Sequence, residues 1–417
     1  MNPVFHCGLA SVAIIRIMNP FKTLVRRAER EWTRTRHRLA AFPEVAARLL
    51  REFEYDLNQD QLDRWLVQWF RESVPLPEQV SLHNTFGQPP ITLFNNGSLV
   101  VDLYLWVAAD TTIHSHGFRG AFRVLHGSSL QETYDVKVTR RIAPGVVQCD
   151  PGIPRMTILQ PGDVHVILPA EKLTHRVIHL ESPTVTLCVK TINEPGIHQW
   201  EYYPHGLAMQ RLDLDPDLIK EIYYFEYLLN RDTTLAARFL QAIVGGLSVV
   251  MRLTLYDALC GGALELSEAA VDRCLKQIRK HDGKSDWYKR HMFPQPRYLK
   301  ELQFAGCETP LERLVAHFIN GGHELKIIAP HLSRVAGRDL QRSDIEKVLL
   351  SLLDCEFIFG VGLSREDRAT IKEVVLQPKG KIPGYLETFG QIRRMKRFLR
   401  MFATEGNHRS NPRPLLS

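Results

Sequence analysis

The chain has 417 residues, enough for two or three domains with cores of their own. Hydrophobic residues make up 44% and charged residues 24%, the balance of a globular protein, and 53 basic against 46 acidic residues leave a net charge of only +7. Without an aromatic-interleaved basic stripe, that excess argues against a nucleic-acid groove, and no apolar run approaches the ~18 residues of a membrane span. Basic clusters such as Arg26–Arg27 and Arg393–Arg394 read as solvated helix faces. The seven cysteines (Cys7, Cys149, Cys188, Cys260, Cys274, Cys307 and Cys355) are scattered and form no CxxC pair. They exclude a zinc ribbon or disulfide scaffold and point to a reducing, cytoplasmic setting.

Taken in chain order, Met18-Asn19-Pro20 repeats the opening Met1-Asn2-Pro3 just before a helical pattern begins, so translation is expected to start at Met18. Residues 1–85 form an N-terminal helical region: Leu24, Ala28 and Trp32, and then Leu62, Trp65, Leu66 and Trp69, recur at helical spacing. The texture changes near residue 86. Asn95-Asn-Gly is a turn signal, and Ser98–Val107 alternates with β-branched and aromatic residues. Short strands are expected at Gly120–Leu125, Leu130–Val138, Arg155–Leu159, Val164–Leu168, His175–His179 and Val185–Thr191. Many short strands with Gly and Pro between them predict a sandwich or barrel over residues 86–200.

Residues 201–404 read as a C-terminal helical domain whose pattern resumes near Leu207. Its helices are Leu218–Leu229, Ala236–Leu259 with a break at Gly245-Gly246, Ala269–Lys280, Leu311–Ile319, Ile345–Phe359, Ala369–Leu376 and Tyr385–Phe402. The Trp287–Pro296 loop has the aromatic and basic composition of a binding lid, or of a Pro-punctuated packing loop. Residues 405–417 are expected to be a disordered tail. The whole is an α+β protein, a central β-barrel flanked by helices. The C-terminal helices either cover its mouth or form a homodimer.

The chemistry sits in Ile113-His114-Ser-His116-Gly. Alternate residues of a strand share a face, so His114 and His116 point the same way and can meet one metal ion. His175 follows the Pro161-Gly162-Asp163 turn on a later strand and supplies the third imidazole. Three neutral imidazoles leave positions open for substrate, water or O2. His179 shares parity with His175 and is a supporting group or a substitute ligand. Arg123, Tyr134, Arg155 and Lys190 are candidates to bind an acidic substrate group.

These segments resemble the cysteine dioxygenase-like (thiol dioxygenase) cupins over residues of about 98–195. His114-Ser-His116, Val124-Leu-His-Gly127, Gln131-Glu132-Thr133, Leu173-Thr-His175-Arg-Val177 and Thr184-Val-Thr-Leu187 carry the resemblance. It implies a jelly-roll-like barrel (the RmlC-like type) with one non-haem Fe(II) on His114, His116 and His175, and O2 as co-substrate. Gly120 and Ala121 stand where other cupins place a glutamate, which suits the three-histidine variant. The sequence departs from the family after the third ligand, where Cys188-Val-Lys190-Thr-Ile192 replaces a Ser-x-His-x-Tyr set. It also has no arginine near Gln88–Thr92, where the family binds a substrate carboxylate. The expected activity is therefore oxidation of a small-molecule or peptide substrate other than free cysteine. A metal-dependent isomerase or lyase, and a ligand-sensing interaction protein, are the alternatives.

Overall fold

The computed structural model describes residues 19–73, 75–80, 87–107, 110–203, 206–283, 304, 306–321, 325–354, 357–358, 361–362, 364–376, 395 and 398. The Trp287–Pro296 loop, residues 1–18, the tail and all of Tyr385–Phe402 except Met395 and Phe398 lie outside the described residues.

Three helices open the chain: α1 (Lys22–Arg34), α2 (Phe42–Arg51) and α3 (Gln59–Glu72). Helix α3 starts at a capping box in which Asn58 and Gln61 satisfy each other's backbone N–H groups. Thirteen strands follow: β1 (Pro90–Asn95), β2 (Leu99–Trp106), β3 (Ile113–His116), β4 (Gly120–His126), β5 (Ser129–Tyr134), β6 (Lys137–Ala143), β7 (Val146–Asp150), β8 (Arg155–Leu159), β9 (Val164–Ile167), β10 (Ala170–His179), β11 (Thr184–Thr191), β12 (Trp200–Tyr202) and β13 (Leu207–Gln210).

They form two antiparallel sheets, ordered β1-β2-β11-β4-β9 and β6-β7-β13-β12-β3-β10-β5-β8. Strand β2 pairs with β11, β3 with β10, β4 with β9 and β5 with β8. This is one long antiparallel ribbon coiled so that successive turns fall in alternate sheets, the topology of a jelly roll. Of the sandwich or jelly-roll-like barrel expected, the described strands form the two-sheet sandwich: β1 and β9 are the ends of one sheet, and β6 and β8 the ends of the other. The β6–β7 hairpin and the β12–β13 hairpin add four strands beside β3. Leu207, expected to begin helix, lies in β13, where its segment pairs with β7.

Helices α4 (Pro216–Leu229), α5 (Thr233–Gly246), α6 (Val249–Cys260) and α7 (Glu268–Asp282) come next. The glycine pair ends α5, and Ser248 caps α6 by accepting the Met251 N–H at 3.3 Å. The described chain continues through α8 (Pro310–Gly321), α9 (Leu325–Ala336), α10 (Arg342–Asp354), the short pair β14 (Phe357–Ile358) and β15 (Val361–Gly362), and α11 (Arg365–Leu376).

Each helical group covers a different outer surface. Helices α1–α3 pack on Leu99, Val101, Leu103, Val185, Leu187 and Val189, the outward residues of β2 and β11. Helices α4–α7 pack on Val146, Leu207 and Met209 of β7 and β13. Helices α8–α11 cover Leu130, Ile158 and Ile178 on the outer face of β5, β8 and β10. The described C-terminal helices therefore back the sandwich, and its inner faces are left to enclose a cavity.

Candidate metal centre

Strands β3 and β10 lie side by side with His114 opposite His175. Strand alternation turns His114, His116 and His175 into the sandwich together. All three are buried, and one ring nitrogen from each lies within 4.8 Å of the others. His116 Nε2 and His175 Nε2 are 2.9 Å apart. Two nitrogens bound to one ion at ~2.1 Å and at right angles would be about 3.0 Å apart.

The outer nitrogens of His114 and His175 are engaged elsewhere. His114 Nδ1 donates to the Thr112 carbonyl at 2.8 Å, and His175 Nδ1 faces Gln131 Oε1 at 3.4 Å. Such partners fix the tautomer and leave the Nε2 lone pair directed inward. Burial holds the imidazoles neutral: it lowers His114 to about 4, and it takes His116 and His175 well below the usual histidine range, aided by their histidine neighbours. Neutral, convergent and oriented imidazoles are the donor set a transition-metal ion needs. This is the one such cluster of histidine, cysteine and carboxylate groups among the described residues.

No fourth protein ligand can come from Gly120. A Cβ there would lie 2.2 Å from the Val189 carbonyl oxygen and 2.7 Å from Lys190 Cα, because β4 and β11 approach too closely for a side chain.

The histidines line a cavity of about 930 Å³ between the sheets. Opposite them, β2 and β11 contribute Tyr104, Trp106, Thr186, Cys188 and Lys190. Lys190 Nζ is 2.6 Å from Asp102 Oδ2 and donates to the Tyr104 hydroxyl at 2.8 Å. Asp102 also accepts from Thr92 Oγ1 at 2.8 Å. Burial alone would lower Lys190, but Tyr104 and Asp102 outweigh it and keep the ammonium charged. Its Nζ sits 4.8 Å from the centre of the Phe118 ring, and that ring is 4.8 Å from His116. Burial pushes the Cys188 thiol up to about 12 and raises the Tyr104 phenol. The lining includes residues 192–199, Arg211 and Asp213, with Arg211 paired to Glu201 at 3.0 Å.

Of the other sequence candidates, His179 lines the cavity and Arg123 and Tyr134 do not. Parity explains the split. Arg123 lies between the outward residues Ala121 and Leu125, and its guanidinium donates to the Leu50 carbonyl at 3.0 Å and to that of Phe53, closing the end of α2. Tyr134 shares the outward face of β5 with Leu130 and donates to Glu132 at 2.6 Å. Arg155, at the start of β8, is exposed and also outside the lining. The aromatic wall is a functional element that the histidine motif alone does not reveal. Its signal was the alternation Val100, Asp102, Tyr104, Trp106, opposite in parity to Leu99, Val101 and Leu103.

No protein-family model matches the chain, and no curated protein sequence matches it. Similar solved structures are double-stranded β-helix (cupin) proteins. One is an uncharacterized conserved protein from Klebsiella pneumoniae, with 15% identity, 30% of this chain and 92% of that chain covered, and a TM-score of 0.20. Another is an oxalate oxidase, with 13% identity, 36% and 65% covered, and a TM-score of 0.18. A third is the vicilin of Solanum melongena, with 16% identity, 31% and 33% covered, and a TM-score of 0.19. At such scores these likenesses assign no chemistry to this chain.

Proposed function

We propose that this protein is a mononuclear non-haem iron oxygenase of the thiol-dioxygenase type, acting on a substrate larger than free cysteine. The observation that carries this reading is the convergence of three neutral, buried imidazoles on one wall of a cavity of about 930 Å³. His114, His116 and His175 would hold Fe(II). When bound, that ion supplies open coordination positions and the redox chemistry by which O2 reacts with a coordinated substrate.

The chain's own residues hold, orient and exclude water. Thr112 and Gln131 keep the His114 and His175 rings in the tautomer that presents Nε2. Tyr104, Trp106, Phe118 and Phe122 surround the substrate with apolar surface. Lys190 offers N–H donors to an oxygen-bearing group, while Asp102 balances its charge. The cavity is of the size that holds drug-sized ligands, whereas free cysteine would leave most of it empty. The one buried ammonium of the lining is already paired, which fits the absence of the carboxylate-binding arginine found in the thiol-dioxygenase pattern.

The test is O2 uptake by anaerobically Fe(II)-loaded protein, against a panel of thiols and amines that includes cysteinyl peptides and aromatic thiols. Substrate-dependent uptake that disappears in His175→Ala is expected. Uptake with none of them, by protein that holds iron, would refute the oxygenase assignment.

A further inference from the structure

The cavity lining carries a polar group that the metal site does not use. His179 is 1% exposed and lines the cavity on the same face of β10 as His175. Its ring is stacked on Trp106, with centroids 4.6 Å apart and planes at 22°, and Trp106 in turn stacks on Tyr104 at 5.4 Å. Nδ1 is fixed by Ser129 Oγ at 3.0 Å. Nε2 is buried and has no hydrogen-bond partner. Buried polar atoms are normally satisfied, so a buried imidazole nitrogen left without a partner beside a cavity marks a place for a ligand atom.

The strand fixes how far this group lies from the metal site. Residues 174–179 of β10 pair with β5 in unbroken register. His175 and His179 are four residues apart on one face, about 13 Å at ~3.3 Å per residue. Val177 lies between them on that face, and Thr186 and Cys188 stand on the opposite wall. The polar atoms of this middle stretch are engaged: Trp106 Nε1 donates to Thr186 Oγ1 at 2.9 Å, and Thr111 Oγ1 accepts the Val177 N–H at 3.0 Å. The cavity therefore has two polar poles separated by a mainly apolar waist.

We propose that His179 is a specificity-determining residue that hydrogen-bonds the far end of the substrate. The substrate is then an elongated molecule with a metal-binding head, an apolar or aromatic middle, and a terminal hydroxyl or amide about 10–13 Å from the head. This rests on the metal-centre reading above. Either tautomer of His179 serves, since Ser129 can donate or accept at Nδ1 and leaves Nε2 the complementary role.

The experiment uses full-length protein loaded with Co(II). A graded series of ω-hydroxyalkanethiols is titrated, each against the alkanethiol of equal length, and affinity is read from the thiolate-to-cobalt absorption. The hydroxyl is expected to tighten binding about tenfold, and only at lengths that reach the far pole. His179→Phe, which keeps a ring against Trp106, is expected to abolish that gain without changing Co(II) affinity. His179→Gln is expected to restore part of it. An equal response to the hydroxyl at every length, absence of thiol binding to cobalt-loaded protein, or a gain that survives in His179→Phe would overturn the proposal. If His179→Phe fails to fold, the length profile and His179→Gln still decide. Absence of a Co(II) spectrum that depends on His175 would overturn the metal reading, and this proposal with it. A normal spectrum without a length profile would overturn this proposal alone.

Discussion

The two faces of β10 treat buried ionisable groups in opposite ways. On the inner face, His175 contacts His116 and Gln131, His179 contacts Ser129, and burial keeps both imidazoles neutral. On the outer face, Arg176 is paired with Asp110, and its cross-strand neighbour Glu132 is 2.7 Å from His317 on α8. Burial would raise Glu132, but His317 and Arg176 outweigh it and bring the carboxyl down to about 2. One face presents lone pairs to a cavity, and the other satisfies its charges internally and fastens the C-terminal helices. The difference separates a surface built to take a ligand from one built to hold the fold.

The largest expected effect is on the inner face. His175→Ala removes one of three donors and should weaken metal binding by more than the ~10–100-fold that outer-shell changes cost, as measured by competitive chelator titration. Its melting temperature without metal should change little by comparison. Lys190→Met sharpens the contrast from the opposite wall: Asp102 is left buried without its cation, a loss of about 3–5 kcal/mol in denaturant unfolding. Asp102→Asn combined with Lys190→Met should recover most of that loss.

On the outer face the expected effect is on stability and depends on pH. The Glu132 carboxyl titrates lower in the folded protein than in the unfolded chain, so its contribution is present above pH 4.5 and is lost as pH falls towards 2. The size is about 3 kcal/mol. Glu132→Gln should flatten that part of the acid-unfolding profile while leaving metal affinity unchanged. Gln131→Ala, on the inner side of the same strand, should weaken metal affinity about tenfold and leave the acid profile alone. Smallest is Arg123→Met, which uncovers the carbonyls at the end of α2 and should cost about 1–2 kcal/mol with no change in metal binding. A change in metal affinity there would blur the distinction between the faces.

The strands and the histidine cluster were legible because both rest on a period of two. Thr111–His116 and Leu173–His179 announce their shared face in the sequence, and the Gly120 position announces its lack of a side chain. The same rule, applied to Ala121-Phe-Arg123 and Leu130–Tyr134, would have turned Arg123 and Tyr134 outward. Each has the parity of its apolar outward neighbours. The pairing of β2 with β11 and the passage of β12–β13 beside β3 were not legible, because long-range register depends on which edges meet. Lys190 stands out in an otherwise apolar and threonine-rich strand, yet its partner Asp102 is 88 positions away by numbering. Only the paired strands bring the two together. Helix α9 has no clear helical signal in the sequence because Pro330 interrupts its pattern.

The central claim is that three imidazoles hold one metal ion. The most direct test is anaerobic loading of the full-length protein with Fe(II), followed by metal analysis and X-ray absorption at the iron edge. One iron per chain is expected, with three imidazole nitrogens in its first coordination sphere and no bound iron in a His114→Ala, His116→Ala, His175→Ala triple variant. Protein that stays free of iron under these conditions, or a triple variant that binds it as the parent does, would contradict the account.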